Sequence, residues 1–222
     1  MFSVLILFIS YLINKNFLVN RRNLIVLSSS LNLPFNNLSL EYNLPYNSQE
    51  SDKTIIHTNK IDKITFLGPI TDESCYYLIE SIENLKNNKC DIIKLNIQSA
   101  GGSLLPAFGV VDLIRTSEIP IHTYINGYVA SAASLISVSG HKRLMGKNGL
   151  MLIHSLRTSS EGGTYLNIKD NSDNADTFMN LLKDIYLLNS NIDEKYLNYL
   201  LSHDLWLNSS TCLQNKLIDQ IL

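Results

Sequence analysis

Three side chains in this sequence could together cleave an acyl bond: the hydroxyl of Ser131, the imidazole of His154 and the carboxylate of Asp204. A serine hydroxyl is a poor nucleophile at neutral pH, so it needs a base that takes its proton and an acid that orients that base. Taken singly, each residue has an ordinary interpretation. Ser131 would cap a helix or fill a small space, His154 would be structural, and Asp204 would be an acidic loop residue.

Ser131 stands in INGYVASAAS (residues 125–134), where a predicted strand runs into small residues at the start of a helix. The first N–H groups of a helix have no partner within it and can stabilise a developing oxyanion. The small neighbours Gly127, Ala130 and Ala132 would let a substrate backbone approach closely. This junction therefore suits a nucleophile, although a capping serine fits it as well.

A second glycine-containing segment, SAGGS (residues 99–103), also follows a predicted strand. Gly101 and Gly102 would let the backbone turn an N–H outward and let a peptide lie alongside. An ordinary turn is the alternative. His154 ends the apolar strand GLMLIH, and Asp204 begins the strand-like segment HDLWLNSS, so both are predicted to lie at strand ends.

The elements that would position these residues alternate between strand and helix from Ile61 onward. Strands are predicted over KITFLGPI, CDIIKLNI, IPIHTYI, KRLMG and LMLIH; helices are predicted over TDESCYYLIESIENLKNN, LLPAFGVVDLIRTS, ASAASLISVSG, KDNSDNADTFMNLLKDIYLLNS and DEKYLNYLLS. This alternation is typical of an α/β layer architecture with mostly parallel strand pairing.

Four segments, in this order, resemble the proteolytic subunit of the ATP-dependent Clp protease, the ClpP family of serine peptidases: NIQSAGGSLLPAFGVVDLI, INGYVASAAS, LMLIHS and HDLWLNSSTCLQNKLIDQIL. The resemblance covers roughly residues 61–222. It implies an α/β, ClpP/crotonase-like fold of repeated ββα units with a protruding handle helix. It also implies that the protein is a serine endopeptidase acting on unfolded polypeptides.

Carried over position by position, the resemblance assigns Ser131 as the nucleophile, His154 as the general base and Asp204 as the orienting acid. It assigns the backbone N–H groups of Gly102 and Ala132 as oxyanion donors, with Gly101 beside them in the substrate-binding turn. The chain departs from the family pattern where Ala100 replaces a proline, Ser155-Leu156 replaces Gln-Pro, Val129 replaces an alanine and Ala132 replaces a methionine. These departures leave peptide preference and loop shape open.

The resemblance further implies an assembly of two stacked seven-subunit rings, fed by a hexameric AAA+ Clp ATPase that unfolds substrates. The chain has no Gly-x-x-x-x-Gly-Lys-Ser/Thr loop for ATP, so energy use would lie in that partner. The stripe Phe178, Met179, Leu182 and Ile185 would suit contact between rings or the subunit's own core. No cofactor is expected, and the three separated cysteines do not predict a metal site.

Residues 1–60 are predicted to form an apolar segment and a poorly ordered arm, and residues 61–222 the peptidase domain. MFSVLILFISYLI, at the N-terminus, is shorter than a spanning helix needs and is interpreted as a targeting or anchor segment. Membrane contact is therefore expected only through residues 1–27, and the compartment would be a plastid, a mitochondrion or the cytoplasm. The net charge of −2 predicts no nucleic-acid partner.

Two alternatives stay open at this point. The first is a membrane-associated peptidase of the SppA type, which uses a serine–lysine dyad on a related fold. The second is a catalytically inactive structural subunit of a mixed ring. Replacing His154 by alanine would abolish cleavage by a triad enzyme but leave a dyad enzyme largely working, and an inactive subunit would not react with a fluorophosphonate.

Overall fold

A computed structural model describes residues 55–59, 63–88, 90–157 and 163–222, all within one compact unit, Ser48–Leu222. The predicted apolar segment and nearly all of the predicted arm over residues 1–60 lie outside these ranges. Most of the segment SSEGGTY, which precedes the long helix, also lies outside them. The domain boundary near residue 60 therefore stays a prediction.

An eight-stranded sheet forms the centre of the fold, with the strand order β1-β2-β3-β4-β5-β8 and with β6 pairing both β4 and β7. The strands are β1 (Ile55–Asn59), β2 (Lys63–Leu67), β3 (Ile93–Ser99), β4 (Ile121–Ala130), β5 (Lys142–Met145), β6 (Leu150–Leu152), β7 (Trp206–Asn208) and β8 (Gln220–Ile221). Only the β1–β2 and β6–β7 pairs are antiparallel among these strands. The predicted α/β class with mostly parallel pairing is confirmed.

Six helices connect these strands: α1 (Asp72–Asn87), α2 (Leu104–Thr116), α3 (Ala132–Val138), α4 (Tyr165–Asn189), α5 (Glu194–Leu201) and α6 (Ser209–Gln214). Helix α1 begins as the sequence predicts. The Thr71 side chain accepts a hydrogen bond from the Ser74 N–H, and the Ser74 hydroxyl accepts one from the Thr71 N–H. This reciprocal cap satisfies two donors that a helix start otherwise leaves unpaired.

The core follows the two-residue alternation of the strands. Ile64 and Phe66 of β2 and Leu95 and Ile97 of β3 are fully buried, while Lys63 at the start of β2 is exposed. Burying one such side chain contributes roughly 1.5–3 kcal/mol to folding. This packing holds the parallel strands in register, so their carboxyl ends meet at one edge of the sheet.

Strand β4 differs from its prediction in a way that matters for the site. It continues past Ile125 to Ala130, and helix α3 begins only at Ala132. Pairing with β3 shifts along this extension, from Ile97↔Ile125 to Ser99↔Val129. The two extra residues on β4 form an irregularity of the bulge type, which bends a strand and redirects its end.

The two halves of helix α4 have different surroundings. Its C-terminal half buries Leu182, Ile185 and Tyr186 against the subunit's own core. Its N-terminal half exposes Tyr165, Leu166 and Ile168. The stripe that the sequence offered for contact between rings thus packs largely on its own core. Tyr165, Leu166 and Ile168 lie about three turns or more before it. Leu181 and Leu188 of the C-terminal half are also exposed. Within the described ranges, no helix combines the length and hydropathy needed to cross a membrane.

Candidate active site

The predicted site residues come from the carboxyl ends of three neighbouring parallel strands. Gly101 and Gly102 follow β3, Ser131 follows β4, and His154 lies two residues beyond β6. The ladder between β4 and β6 pairs Ala130 with Leu152, and the Ser131 N–H donates to the Leu152 carbonyl at 3.0 Å. Ligands of open α/β sheets bind at this carboxyl edge, so the location suits an active site.

Ser131 has a strained backbone. Its φ of 54° and ψ of −131° lie in a region that side-chain-bearing residues rarely adopt. Such strain costs about 1–3 kcal/mol and persists only where the surrounding structure enforces it. A serine on a sharp strand-to-helix turn is the geometry that exposes a nucleophile, and here the Ser131 hydroxyl makes no capping bond to α3.

The glycine turn lies directly against this serine. A Cβ atom added to Gly101, whose φ is +94°, would lie 2.6 Å from the Ser131 Cβ and 2.7 Å from the Ala130 carbonyl oxygen. A Cβ added to Gly102 would lie 2.1 Å from the Ile70 carbonyl oxygen. Both positions therefore require glycine, and at Gly101 the backbone lies close to the β4–α3 junction.

The N–H of Gly102 is not used by the bridge that holds its own loop. In that bridge, the Ile70 N–H donates to the Gly101 carbonyl at 2.9 Å, and the Ser103 N–H donates to the Ile70 carbonyl at 2.8 Å. Ala132, at the first position of α3, has an N–H that lies too early to bond within the helix. Ala132 directly follows Ser131, and Gly102 follows Gly101, the glycine that packs on Ser131. The role of their N–H groups as oxyanion donors stays a prediction.

The imidazole of His154 has an unsatisfied ring nitrogen. Its Nδ1 is buried and makes no hydrogen bond in the described structure. A buried polar nitrogen without a partner costs about 1–3 kcal/mol. In a triad, this is the nitrogen that the orienting carboxylate would meet.

The chain segments that carry Asp204 and His154 meet, but the Asp204 carboxylate is bonded elsewhere. The antiparallel β6–β7 ladder ends at the pair Leu152–Trp206, two residues before His154 and two residues after Asp204. The Asp204 Oδ2 nevertheless accepts a hydrogen bond from Arg157 Nη2 at 2.6 Å. The structure therefore brings the two chain segments together but does not bring the Asp204 carboxylate to the His154 Nδ1.

Two buried residues that the sequence did not single out for the site, Ser134 and Tyr186, form a hydrogen-bonded chain to the Ser131 carbonyl. The Ser134 hydroxyl is 2.6 Å from the Ser131 carbonyl oxygen and 2.7 Å from the Tyr186 hydroxyl. In the sequence, Tyr186 is one more member of the apolar stripe of α4. Ser134 could have been noticed in the sequence, because a serine three residues after a helix cap can donate a hydrogen bond to the carbonyl of the cap residue.

The cysteines do not offer a competing nucleophile. Burial raises the pKa of Cys75 to about 11 and that of Cys212 to about 12. Both thiols are thus protonated at neutral pH, and the thiolate is the reactive form. Among the described residues, no three histidine, cysteine, aspartate or glutamate side chains group together as metal ligands would.

Comparison with known proteins gives a consistent result. The family model described as Clp protease matches residues 47–222. The ATP-dependent Clp protease proteolytic subunit of Streptococcus mutans is 30% identical over 172 residues, which cover 72% of this chain and 85% of that protein. The protein of the same name from Cyanophora paradoxa is 26% identical over 186 residues, which cover 79% of this chain and 94% of that protein.

A shorter match reaches a protein with a different name. The membrane protein NfeD1b of Bacillus subtilis is 33% identical over 75 residues, which cover 34% of this chain and 17% of that protein. So short a match carries no argument for a membrane-associated peptidase. The two subunits above each match along most of their own length.

Proposed function

This chain belongs to the Clp protease family and is a ClpP-type peptidase, and we propose that it is a serine endopeptidase whose catalytic residues are Ser131, His154 and Asp204. The observation that carries the proposal is the strained strand-to-helix turn at Ser131. A fold that maintains such strain at a hydroxyl, with the glycine turn packed on it, is built to present that hydroxyl.

The proposed reaction gives each of these groups one role. The Ser131 Oγ attacks the scissile carbonyl carbon while its proton passes to the His154 Nε2. The N–H groups of Gly102 and Ala132 donate to the oxygen, which becomes negative as the tetrahedral intermediate forms. The carbon–nitrogen bond then breaks, the imidazolium protonates the leaving amine, and water repeats these steps on the acyl-enzyme.

Formation of the triad requires Asp204 to exchange partners. The Arg157 and Asp204 side chains are 69% and 59% exposed, and an ion pair so exposed contributes about 0–1 kcal/mol. Satisfying the buried His154 Nδ1 recovers about 1–3 kcal/mol. The balance favours rotation of the carboxylate towards His154, and Arg157 would then return to solvent at little cost.

The proposal includes assembly and a partner. The exposed apolar side chains Tyr165, Leu166 and Ile168 support contact between copies of this chain through the N-terminal half of α4. Stacked seven-subunit rings would enclose the Ser131 sites and exclude folded proteins. A hexameric AAA+ ATPase would then unfold substrates and feed them in. This arrangement matches the words "ATP-dependent" and "subunit" in the names of the relatives.

The experiment is hydrolysis of a fluorogenic peptide by the purified full-length protein, with its mass in solution measured alongside. We expect Ser131→Ala and His154→Ala to lower kcat at least about a thousandfold, because each removes a member of a unit that acts together. His122→Ala is the matched control. His122 lies in the same strand as the Ser131 turn but nine residues earlier, and the variant should retain activity.

Two results would contradict the proposal. Retention of most of the activity in the His154→Ala variant would favour the serine–lysine alternative. Absence of hydrolysis by the assembled wild-type protein, together with no reaction with a fluorophosphonate, would favour a structural ring subunit.

A further inference from the structure

Behind Ser131, a buried chain of hydroxyl groups connects helix α4 to the β4–α3 junction. The Tyr186 hydroxyl lies 2.7 Å from the Ser134 Oγ, which lies 2.6 Å from the Ser131 carbonyl oxygen. The Ser134 N–H donates to the same carbonyl at 2.9 Å. Tyr186 is 1% exposed and Ser134 is fully buried, so water does not replace either partner.

The direction of donation in this chain can be assigned from the number of protons. Ser134 has one hydroxyl proton, and its shortest contact is with the Ser131 carbonyl, which can only accept. The Leu152 carbonyl is much farther from the same oxygen, at 3.4 Å. Tyr186 therefore donates to Ser134, and Ser134 donates to Ser131. Burial raises the pKa of the Tyr186 phenol, so the phenol keeps the proton that it donates.

The peptide unit that receives these bonds also carries a predicted oxyanion donor. The Ser131 carbonyl and the Ala132 N–H belong to one planar trans peptide, so they point in opposite directions. Fixing the carbonyl towards Ser134 fixes the Ala132 N–H away from it. On the other side of Ser131, the bond from its N–H to the Leu152 carbonyl, at 3.0 Å, holds the preceding peptide.

We propose that Tyr186 and Ser134 are positioning residues that aim the Ala132 N–H at the oxyanion of the reaction intermediate. The proposal rests on the function proposed above. It adds that α4, whose other end exposes apolar side chains, is linked to the Ser131 peptide through the Tyr186 hydroxyl and Ser134. Neither Tyr186 nor Ser134 touches the substrate.

The test compares Tyr186→Phe, Ser134→Ala and the double variant in the full-length protein. Each rate is divided by the concentration of sites titrated with a fluorophosphonate. We expect Tyr186→Phe to lower kcat about three- to tenfold, the range for one hydrogen bond, with KM unchanged. An oxyanion donor acts on the transition state and not on the bound substrate. The affinity for a peptide boronate, whose adduct is tetrahedral, should fall by the same factor.

The double variant tests whether Tyr186 acts through Ser134. In that case Tyr186→Phe has no further effect on kcat once Ser134 is alanine. Ser137→Ala is the matched control, because it removes another buried serine hydroxyl from α3, one that makes no hydrogen bond in the described structure. It should leave both kcat and boronate affinity unchanged.

The outcomes separate this inference from the proposed function. If wild type is active and Tyr186→Phe lowers only the melting temperature, with kcat per site and boronate affinity unchanged, the positioning role is overturned and the peptidase stands. If Tyr186→Phe does not fold, Ser134→Ala alone decides by the same two measurements. A wild-type protein that neither cleaves peptide nor reacts with the fluorophosphonate overturns the proposed function itself.

Discussion

The two sides of the candidate site are held in different ways. On the Ser131 side, the backbone N–H and carbonyl are both bonded to buried partners, and Gly101 packs within van der Waals distance. On the Asp204 side, the carboxylate is exposed and paired with Arg157, while the His154 Nδ1 has no partner in the described structure. The comparison teaches that the fold of one chain fixes the proposed nucleophile, Ser131, and leaves the proposed acid, Asp204, free to exchange partners.

Of the variants discussed next, a substitution of Asp204 should give the largest loss of kcat. Asp204→Asn should lower kcat by about 10²–10⁴, because an amide cannot stabilise the imidazolium and favours the wrong histidine tautomer. The measurement is kcat on a fluorogenic peptide, with Asp112→Asn, at an exposed position of helix α2, as the matched control. Unchanged activity in Asp204→Asn would mean that Asp204 serves only as a surface partner of Arg157.

The nucleophile side should be sensitive to a single methyl group. Gly101→Ala places a Cβ atom 2.6 Å from the Ser131 Cβ in a φ region unfavourable to alanine, so the β4–α3 junction must shift. We expect at least a tenfold loss of kcat per titrated site, since small displacements of reacting groups cost that much. Gly109→Ala is the control. Its Cβ would meet nothing within 4 Å, and alanine suits a helix better than glycine. Equal activity in both variants would refute the close packing at Ser131.

A second arginine–aspartate pair, Arg143 and Asp219, should contribute more to the free energy of unfolding than the exposed pair of Arg157 and Asp204. Asp219 accepts bonds from the Arg143 Nε and Nη2 at 3.0 and 2.7 Å and from the Arg143 backbone N–H at 2.8 Å. We expect Asp219→Asn to lower the free energy of unfolding at pH 7 by about 1–2 kcal/mol. Arg157→Gln, which breaks the exposed pair, should change it by less than about 0.5 kcal/mol.

The stabilisation that Asp219 provides should be present at neutral pH and lost in acid. Hydrogen bonds from Arg143 lower the pKa of the folded-state carboxyl below its ordinary value of 3.8. The stabilisation is therefore complete above that ordinary value and is lost as the pH falls through the lowered folded-state pKa. Urea unfolding of wild type and Asp219→Asn should show a difference in the free energy of unfolding that is constant from pH 7 to pH 5 and shrinks as the pH falls below 3.8. A difference that persists in acid would contradict this assignment.

The smallest expected effect is on the exchange of partners by Asp204. Arg157→Gln removes the partner that competes with His154 for the carboxylate. Because the exchange already favours His154, kcat should rise by no more than about twofold. Added salt should raise the wild-type rate towards that of the variant, because salt screens the pair. Arg157→Lys, which keeps the charge, is the control and should resemble wild type. A fall in kcat for Arg157→Gln would show that Arg157 assists catalysis instead of holding Asp204 away.

The sequence predicts the fold well where patterns are local. The N-cap of α1, the alternation in β2 and β3 and the order of elements from β2 to α5 follow from residues near one another in the chain. Strands β1 and β8 and helix α6 were not predicted. The extension of β4 to Ala130 was not predicted, because NGYVA has no strong alternation and is held by its pairing with β3 and β6. Tertiary pairing decided that segment over local preference.

For the site, the sequence could indicate which residues form the candidate triad but not which hydrogen bonds their side chains make. The resemblance pointed to Ser131, His154 and Asp204, and strand register explains why their chain segments meet. The pairing of Asp204 with Arg157 depends on side-chain rotation, which no spacing rule describes. The Tyr186–Ser134 contact joins residues 52 positions apart, so only the packing of α4 against α3 reveals it.

The most direct test of the central claim is to locate the reactive serine. The full-length protein is treated with a fluorophosphonate, digested, and the modified peptide sequenced by mass spectrometry. We predict a single adduct on Ser131 that disappears in Ser131→Ala and is greatly slowed in His154→Ala. An adduct on a different serine, or no adduct on protein that cleaves peptides, would contradict the account.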